Sequence, residues 1–311
     1  MLGYISRRFL QLIPIMLGIT LVTFLLMRAA GGDPVMQLID DRSAGMDQAA
    51  VDAIRQQWGL DQPLPVQYLR FVANAVKGDL GRSYVSRSSV AQAINERVPA
   101  TARLGLTALI FAVIVGIAAG TIAAARRNSW FDTATMVVAL AGVSIPVFWL
   151  ALLMMYLFAV KWHVLPASGY GDGQLKYLIM PAFALGAGIT GVVARVTRSA
   201  MLGVIKAEYI TTARSKGLSE SKVIFKHALR NALIPVVTII GVQLGGVLSG
   251  AVITESIFNW PGIGRLLVDS IGKRDQPMVQ GVVIFFALLF ALVNLLVDVA
   301  YAAVDPRIRY S

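Results

Sequence analysis

Apolar residues gather along the chain in six long runs, Phe9–Met27, Leu104–Ala125, Thr133–Val160, Tyr177–Ala194, Ala232–Thr254 and Pro277–Val297, and none of the six holds a charged side chain. A helix needs about 20 apolar residues to cross roughly 30 Å of hydrocarbon, so each run predicts a membrane-spanning helix. Charges stand close to the run ends, with Arg7, Arg8 and Arg28 around the first and Lys176 and Arg195 around the fourth. Pro146 in the third run and Pro181 in the fourth are the places where a span would kink. The first run exceeds the apolar core of about 7–15 residues usual in a signal peptide. It is followed by Arg28-Ala29-Ala30-Gly31-Gly32-Asp33, a poor cleavage site, and is expected to stay as an anchor.

Two connections are too long to be plain turns. Residues 29–103 contain amphipathic helical spacing over Asp47–Trp58 (Ala50, Val51, Ile54, Trp58) and over Pro63–Val76 (Leu64, Tyr68, Leu69, Val72, Val76), with a third short helix at Val90–Val98. Trp58, Tyr68 and Phe71 predict that this segment packs as a small helical cap rather than lying solvated. The other long connection, residues 195–231, has helical propensity broken near its middle by Gly217. Connections in helix bundles usually run a few residues. A helix, a glycine turn and a second helix would project from the membrane and dock in a partner's groove. A basic stretch lying on anionic lipid is the alternative.

Charge gives the orientation. Arg7 and Arg8, Arg126 and Arg127, eight residues of the fourth connection (Arg195, Arg198, Lys206, Arg214, Lys216, Lys222, Lys226, Arg230) and Arg307 and Arg309 fall on one side, against Lys161, Lys176, Arg265, Lys273 and Arg274 on the other. Both termini are therefore expected in the cytoplasm. The fourth connection, with Glu208 and Glu220 offsetting its eight basic residues, nets +6 of the formal +11. That concentration, with 57% hydrophobic and 14% charged residues, turns an apparent nucleic-acid signature into a topological one. No nucleic-acid partner is expected; membrane lipid is.

Catalytic chemistry is poorly supplied. With no cysteine and only His163 and His227, thiolate and multi-histidine metal sites are excluded. The chain has no P-loop, H-E-x-x-H or G-x-S-x-G pattern. Glu255 and Asp298 stand at run ends, so the interior carboxylates of proton-coupled carriers are missing, and an external energy source is expected. Within the spans, Gly241-x-x-x-Gly245 and Gly246-x-x-x-Gly250 have the spacing that lets helix backbones approach, while Gln243, Ser249, Asn294 and Thr190 offer polar groups. Gly241, Gln243, Gly245, Gly246, Ser249, Gly250 and Asn294 are candidates for helix packing or for a solute path. A stand-alone carrier or channel is a competing class at this point, and an intramembrane enzyme a less favoured third.

The run Glu208-Tyr209-Ile210-Thr211-Thr212-Ala213-Arg214-Ser215-Lys216-Gly217-Leu218, followed by His227-Ala228-Leu229-Arg230-Asn231-Ala232-Leu233-Ile234-Pro235, resembles the EAA loop of ABC-importer permeases of the dipeptide, oligopeptide, nickel and glutathione family. The resemblance extends over essentially the whole chain through Gly32-Asp33-Pro34, Gly59-Leu60-Asp61 with Pro63, Gly78-Asp79-Leu80-Gly81, Phe258-Asn259-Trp260-Pro261-Gly262, Arg274-Asp275 with Pro277, and Asn294–Asp298 with Pro306. It departs from the general pattern where Glu-Ala-Ala falls on Thr211-Thr212-Ala213 and a later proline on Arg230, while Gly217 is kept. Residues 161–176, 59–63, 259–270 and 301–310 are similar to glutathione-importer permeases in particular.

This resemblance implies an all-α type I importer fold with six transmembrane helices and a small extracytoplasmic helical segment. It divides the chain into residues 1–96 (a first helix at 9–28 plus the outer segment), a transmembrane type-1 domain at 97–304 (helices at 104–125, 133–160, 177–194, 232–254 and 277–298, coupling loop 195–231) and a cytoplasmic tail at 305–311. It implies no enzyme activity, metal or cofactor on this chain. ATP and Mg would be used by two cytosolic ATPase subunits, beside a homologous second permease subunit and an extracytoplasmic solute-binding protein. Thr211, Thr212, Ala213, Arg214, Ser215, Lys216, Gly217, Leu218, Ser219 and Glu220 would couple to the ATPases. Short peptides are the implied solute, with nickel or another small solute as the alternative on the same fold.

Overall fold

The computed structural model describes residues 2–29 and 48–304, and the regular structure of these is helical. Among the described residues the one extended feature noted is an isolated antiparallel bridge between Arg82 and Ser89. Gly32-Asp33-Pro34, Asp47 and the tail at 305–311 lie outside the described residues.

The helices are α1 (Leu2–Ala29), α2 (Gln48–Trp58), α3 (Leu64–Val76), α4 (Val90–Asn95), α5 (Val98–Ala125), α6 (Trp130–Ser144), α7 (Val147–Met154), α8 (Leu175–Ile205), α9 (Glu208–Ser215), α10 (Leu229–Ile257), α11 (Ile263–Gly272) and α12 (Gln276–Val304). Among the described residues five stretches are long and apolar enough to span a bilayer, and a sixth is a bent pair.

That sixth stretch, expected as one helix over 133–160 able to kink at Pro146, is instead two helices that meet at that proline. α6 and the run continuing from α7 to Lys161 are bent by 105°. Pro146 offers no backbone N–H, and Ile145 before it takes the extended conformation that a following proline favours (φ −77°, ψ 123°). Pro181 behaves otherwise: it leaves the Tyr177 carbonyl without its usual helical donor, yet α8 continues unbroken for 31 residues. Helices also outrun their apolar stretches. α8 extends to Ile205, and α10 is continuous through a π-helical run, Val223–Ala228, back to Glu220. Most of the connection expected over 195–231 is therefore helix, and Glu255 lies in the last turn of α10, fully buried.

Two compact units can be separated, residues 1–99 with 262–292 and residues 100–261 with 293–311. In the first, α3 leans on α1 through Tyr68, whose ring meets Phe24 at 5.6 Å and whose hydroxyl donates to the Leu17 carbonyl at 2.9 Å. Its core joins Val90, Ala93 and Ile94 of α4 to Ile263 and Leu266 of α11 and Met278 and Val282 of α12. Asp275, buried, accepts from the Ser83 hydroxyl and from the Tyr84 N–H at 3.0 Å, pinning the loop before α4.

The second unit is held by very close backbone approach. A Cβ on Gly120 of α5 would lie 2.4 Å from the Ala194 carbonyl of α8, and one on Gly191 of α8 would lie 2.3 Å from the Ala139 carbonyl of α6. Only glycine permits such contact, and where lipid removes most of the hydrophobic driving force, small-residue packing is what joins helices. Larger side chains, Leu104, Leu185, Ile189, Val193, Val236 and Val247, fill the remaining space between α5, α8 and α10. Trp260, fully buried, donates its indole N–H to the Ala100 carbonyl at 2.9 Å and sets its ring edge-on to Tyr170 at 4.7 Å.

Candidate coupling site

Helix α9 begins after Ala207, whose extended ψ of 147° turns the chain out of α8, and Glu208 in its first turn suits the positive end of the helix dipole. It ends where Lys216 and Gly217 bond back to Thr212 and Arg214 at 3.1 and 2.9 Å. Gly217 takes φ +76°, the left-handed conformation that closes helices and that other residues rarely adopt. Ser219, extended again, then starts the helix that becomes α10.

The inward face of α9 is short and apolar. Ile210 and Ala213, three residues apart, are buried against Met201 of α8, Val223, Ala228 and Ala232 of the following helix, and Ala124 at the end of α5. Arg214 reaches across the Gly217 turn to Glu220 with two hydrogen bonds, 2.7 Å from Nη2 and 3.1 Å from Nε. Asn231 donates to the Tyr209 hydroxyl at 2.7 Å, tying the start of α9 to α10. α9 is therefore fixed at both ends and along one face to three long helices.

Of the ten residues that sequence placed here, Ala213 is buried and Thr211, Thr212, Arg214, Ser215, Lys216, Gly217, Leu218, Ser219 and Glu220 are exposed together on the outer side. Two exposed aromatics join them that sequence reasoning passed over, Tyr209 and Phe225. Their signal was available: each is a large apolar residue out of phase with the buried Ile210, Ala213 and Val223. Arg198 was counted among the basic residues of this connection, yet it is a clamp, donating from Nε and Nη2 to the Asp132 carboxylate of α6 at 2.5 and 2.7 Å.

The packing and path candidates are not brought to one place. Gly241, Gln243, Gly245, Gly246, Ser249 and Gly250 all lie on α10 and Asn294 on α12. Gly241 and Gly245 are buried, and a Cβ on Gly250 would meet Leu185 at 2.6 Å. Gly246 and Ser249 are exposed, in line with exposed Val242 and Ile253, and nothing lies within 4 Å of where a Gly246 Cβ would be. A Cβ on Gly120, Gly186 or Gly191 would instead lie closer than 3.0 Å to a neighbouring helix's backbone carbonyl, and a Cβ on Gly116 would meet Val193 at 2.8 Å. Gly116-x-x-x-Gly120 has the spacing that was noticed only on α10.

Comparison with known proteins agrees with this fold. Residues 116–310 match the family described as binding-protein-dependent transport system inner membrane component, and residues 1–105 match the N-terminal model of the same kind of component. The chain is 46% identical over 310 residues, covering all of both chains, to the glutathione transport system permease protein GsiC of Escherichia coli O6:H1 (strain CFT073). The protein of the same name from Shigella dysenteriae serotype 1 (strain Sd197) is also 46% identical over the full length. Among solved structures, the MetNI methionine ABC transporter in its inward-facing form shares the fold at a TM-score of 0.58, 18% identity, 69% of this chain and 97% of that one. With its helical architecture and these matches over its whole length, the chain belongs to the family of binding-protein-dependent transport system inner membrane components, the permease subunits of ABC importers.

Proposed function

We propose that this chain is one permease half of an ATP-driven importer of short peptides, and that glutathione is the solute to test first, since full-length relatives at 46% identity carry that name. The observation that carries the mechanism is α9 itself. A short helix buried by Ile210 and Ala213 against the ends of three long helices, with its other face exposed, is a lever. A partner that grips the exposed face and moves would shift α5, α8 and α10 as rigid bodies, the usual way packed helices switch between states.

The partners in this reading are two ATPase subunits, which bind ATP and Mg and seat α9 in a groove, a solute-binding protein on the opposite face, and a homologous permease. The exposed line Val242, Gly246, Ser249 and Ile253 on α10 is the surface offered to that second permease across the solute path. In this reading both termini and α9 are on the cytoplasmic side, which the distribution of Lys and Arg supports. The functional division is residues 1–96, 97–304 and 305–311.

Reconstitution tests this. The chain, co-expressed with its second permease and ATPases and placed in liposomes, should import glutathione only with ATP inside and a solute-binding protein outside. Uptake by this chain without any ATPase would overturn the assignment.

A further inference from the structure

The first compact unit carries an open-sided cavity of about 490 Å³ that no transport step described above uses. It is well inside the range of roughly 300–1,000 Å³ typical of small-molecule sites. One wall is aromatic: Trp58, at the end of α2, stacks parallel on Tyr84 at 4.4 Å and 6° between planes. Three guanidinium-bearing residues, Arg70, Arg82 and Arg87, line it against one acid, Asp79, whose carboxylate already accepts the Gly81 N–H at 2.9 Å. Gln280 of α12 lines it too, is 3% exposed, and its Nε2 has no hydrogen-bond partner among the described residues. A buried amide donor without a protein partner is rare in native proteins, and a water, an ion or another polar group is what satisfies such a donor.

The walls are built to hold their shape. Asp275 anchors the loop that carries Arg82, Tyr84 and Arg87. Gly59, at φ +67°, leaves room for the Arg70 guanidinium, which a Cβ there would meet at 2.6 Å. Burial pushes the Tyr84 phenol up to about 12, so it remains a hydrogen-bond donor throughout the working pH range.

Exposed guanidinium forks, neutral donors and a flat aromatic wall suit a small molecule with carboxylates and planar amides. We propose that this cavity binds a short peptide bearing two free carboxylates, held by Arg82 and Arg87 with Gln280 donating to a carbonyl, before that peptide enters the path. The identity of the occupant as the transported solute rests on the reading under Proposed function; the anionic-peptide chemistry of the cavity does not.

The test uses the complete complex of both permeases and ATPases in lipid nanodiscs without solute-binding protein, probed with radiolabelled glutathione by equilibrium dialysis. Saturable binding is expected, lowered at least tenfold in an Arg82→Gln, Arg87→Gln double variant and in Gln280→Met, and not displaced by glutathione diethyl ester. ATPase activity of each variant without solute, equal to wild type, shows that the complex is intact. Wild-type uptake of glutathione with no such binding, or with equal binding in the double variant, overturns the cavity proposal and leaves the transport reading standing. Arg82-dependent binding without uptake supports the cavity and overturns the choice of transported solute.

Discussion

Arg198 holds Asp132 by two hydrogen bonds, Nε to Oδ1 at 2.5 Å and Nη2 to Oδ2 at 2.7 Å, across 66 residues of sequence. Asp132 sits in the first turn of α6, where Ser129 caps its N–H at 3.2 Å and its carboxylate accepts the Asn128 N–H at 3.1 Å. One buried carboxylate thus closes the turn that starts α6 and bolts that helix to α8.

Removing the arginine strands a carboxylate that is 5% exposed, and with Arg198 itself 26% exposed we expect Arg198→Gln to cost about 2–3 kcal/mol. Thermal unfolding in detergent should show the loss, and Asp132→Asn in the same chain should recover a large part of it. Equal losses in the single and double variants would mean the two residues act separately.

Glycine packing makes a contrasting pair of predictions. Gly191→Ala would place a Cβ 2.3 Å from the Ala139 carbonyl, and overpacking of that kind costs about 1–3 kcal/mol, read as a lower unfolding temperature of the isolated chain. Gly246→Leu has open space and should leave the isolated chain as stable as wild type. Its defect should show only on assembly, as reduced recovery of the second permease in co-purification.

The turn at Gly217 gives a prediction about coupling. Valine at φ +76° is strained by about 1–3 kcal/mol, and nothing packed within 4 Å of the position adds to or relieves this. Gly217→Val is expected to insert and assemble normally, yet to lose most of the solute-stimulated ATP hydrolysis in the reconstituted complex. An Arg214→Gln variant, which removes the brace to Glu220 but leaves the turn residue alone, should lose less.

The spans, the outer helices and the glycine turn were legible because each has a local cause: unbroken apolar runs, amphipathic spacing, a residue that tolerates positive φ. The 105° bend was half legible. Pro146 marks its place, but its angle depends on packing that no local pattern carries. Asp132–Arg198 was hidden because a basic residue at a helix end reads as topology until its partner is found, and nothing local to Asp132, one residue ahead of the third apolar run, names that partner. The cavity was hidden for a similar reason. Gly59-Leu60, Gly78–Gly81 and Pro277 were recognised as separate motifs, and folding makes most of them one set of walls.

Asp275 supports those walls and offers the most direct local test. It is 4% exposed, accepts the Tyr84 N–H at 3.0 Å and accepts from Ser83, whose hydroxyl oxygen in turn takes the Ser86 N–H at 2.9 Å. Asp275→Ala would orphan the Tyr84 N–H and one bond of Ser83, a loss of about 2 kcal/mol confined to this loop. Asp275→Asn keeps a carbonyl oxygen for Tyr84, and its amide can donate to the Ser83 oxygen, so most of the loop should survive. Trypsin reads the difference, because Arg82 and Arg87 are exposed on the same loop and cleavage requires it to open. Cleavage after these residues should be fast in Asp275→Ala, slow in wild type and near wild type in Asp275→Asn. If both variants are cut at the wild-type rate, the loop is held by other contacts and Asp275 is not its anchor.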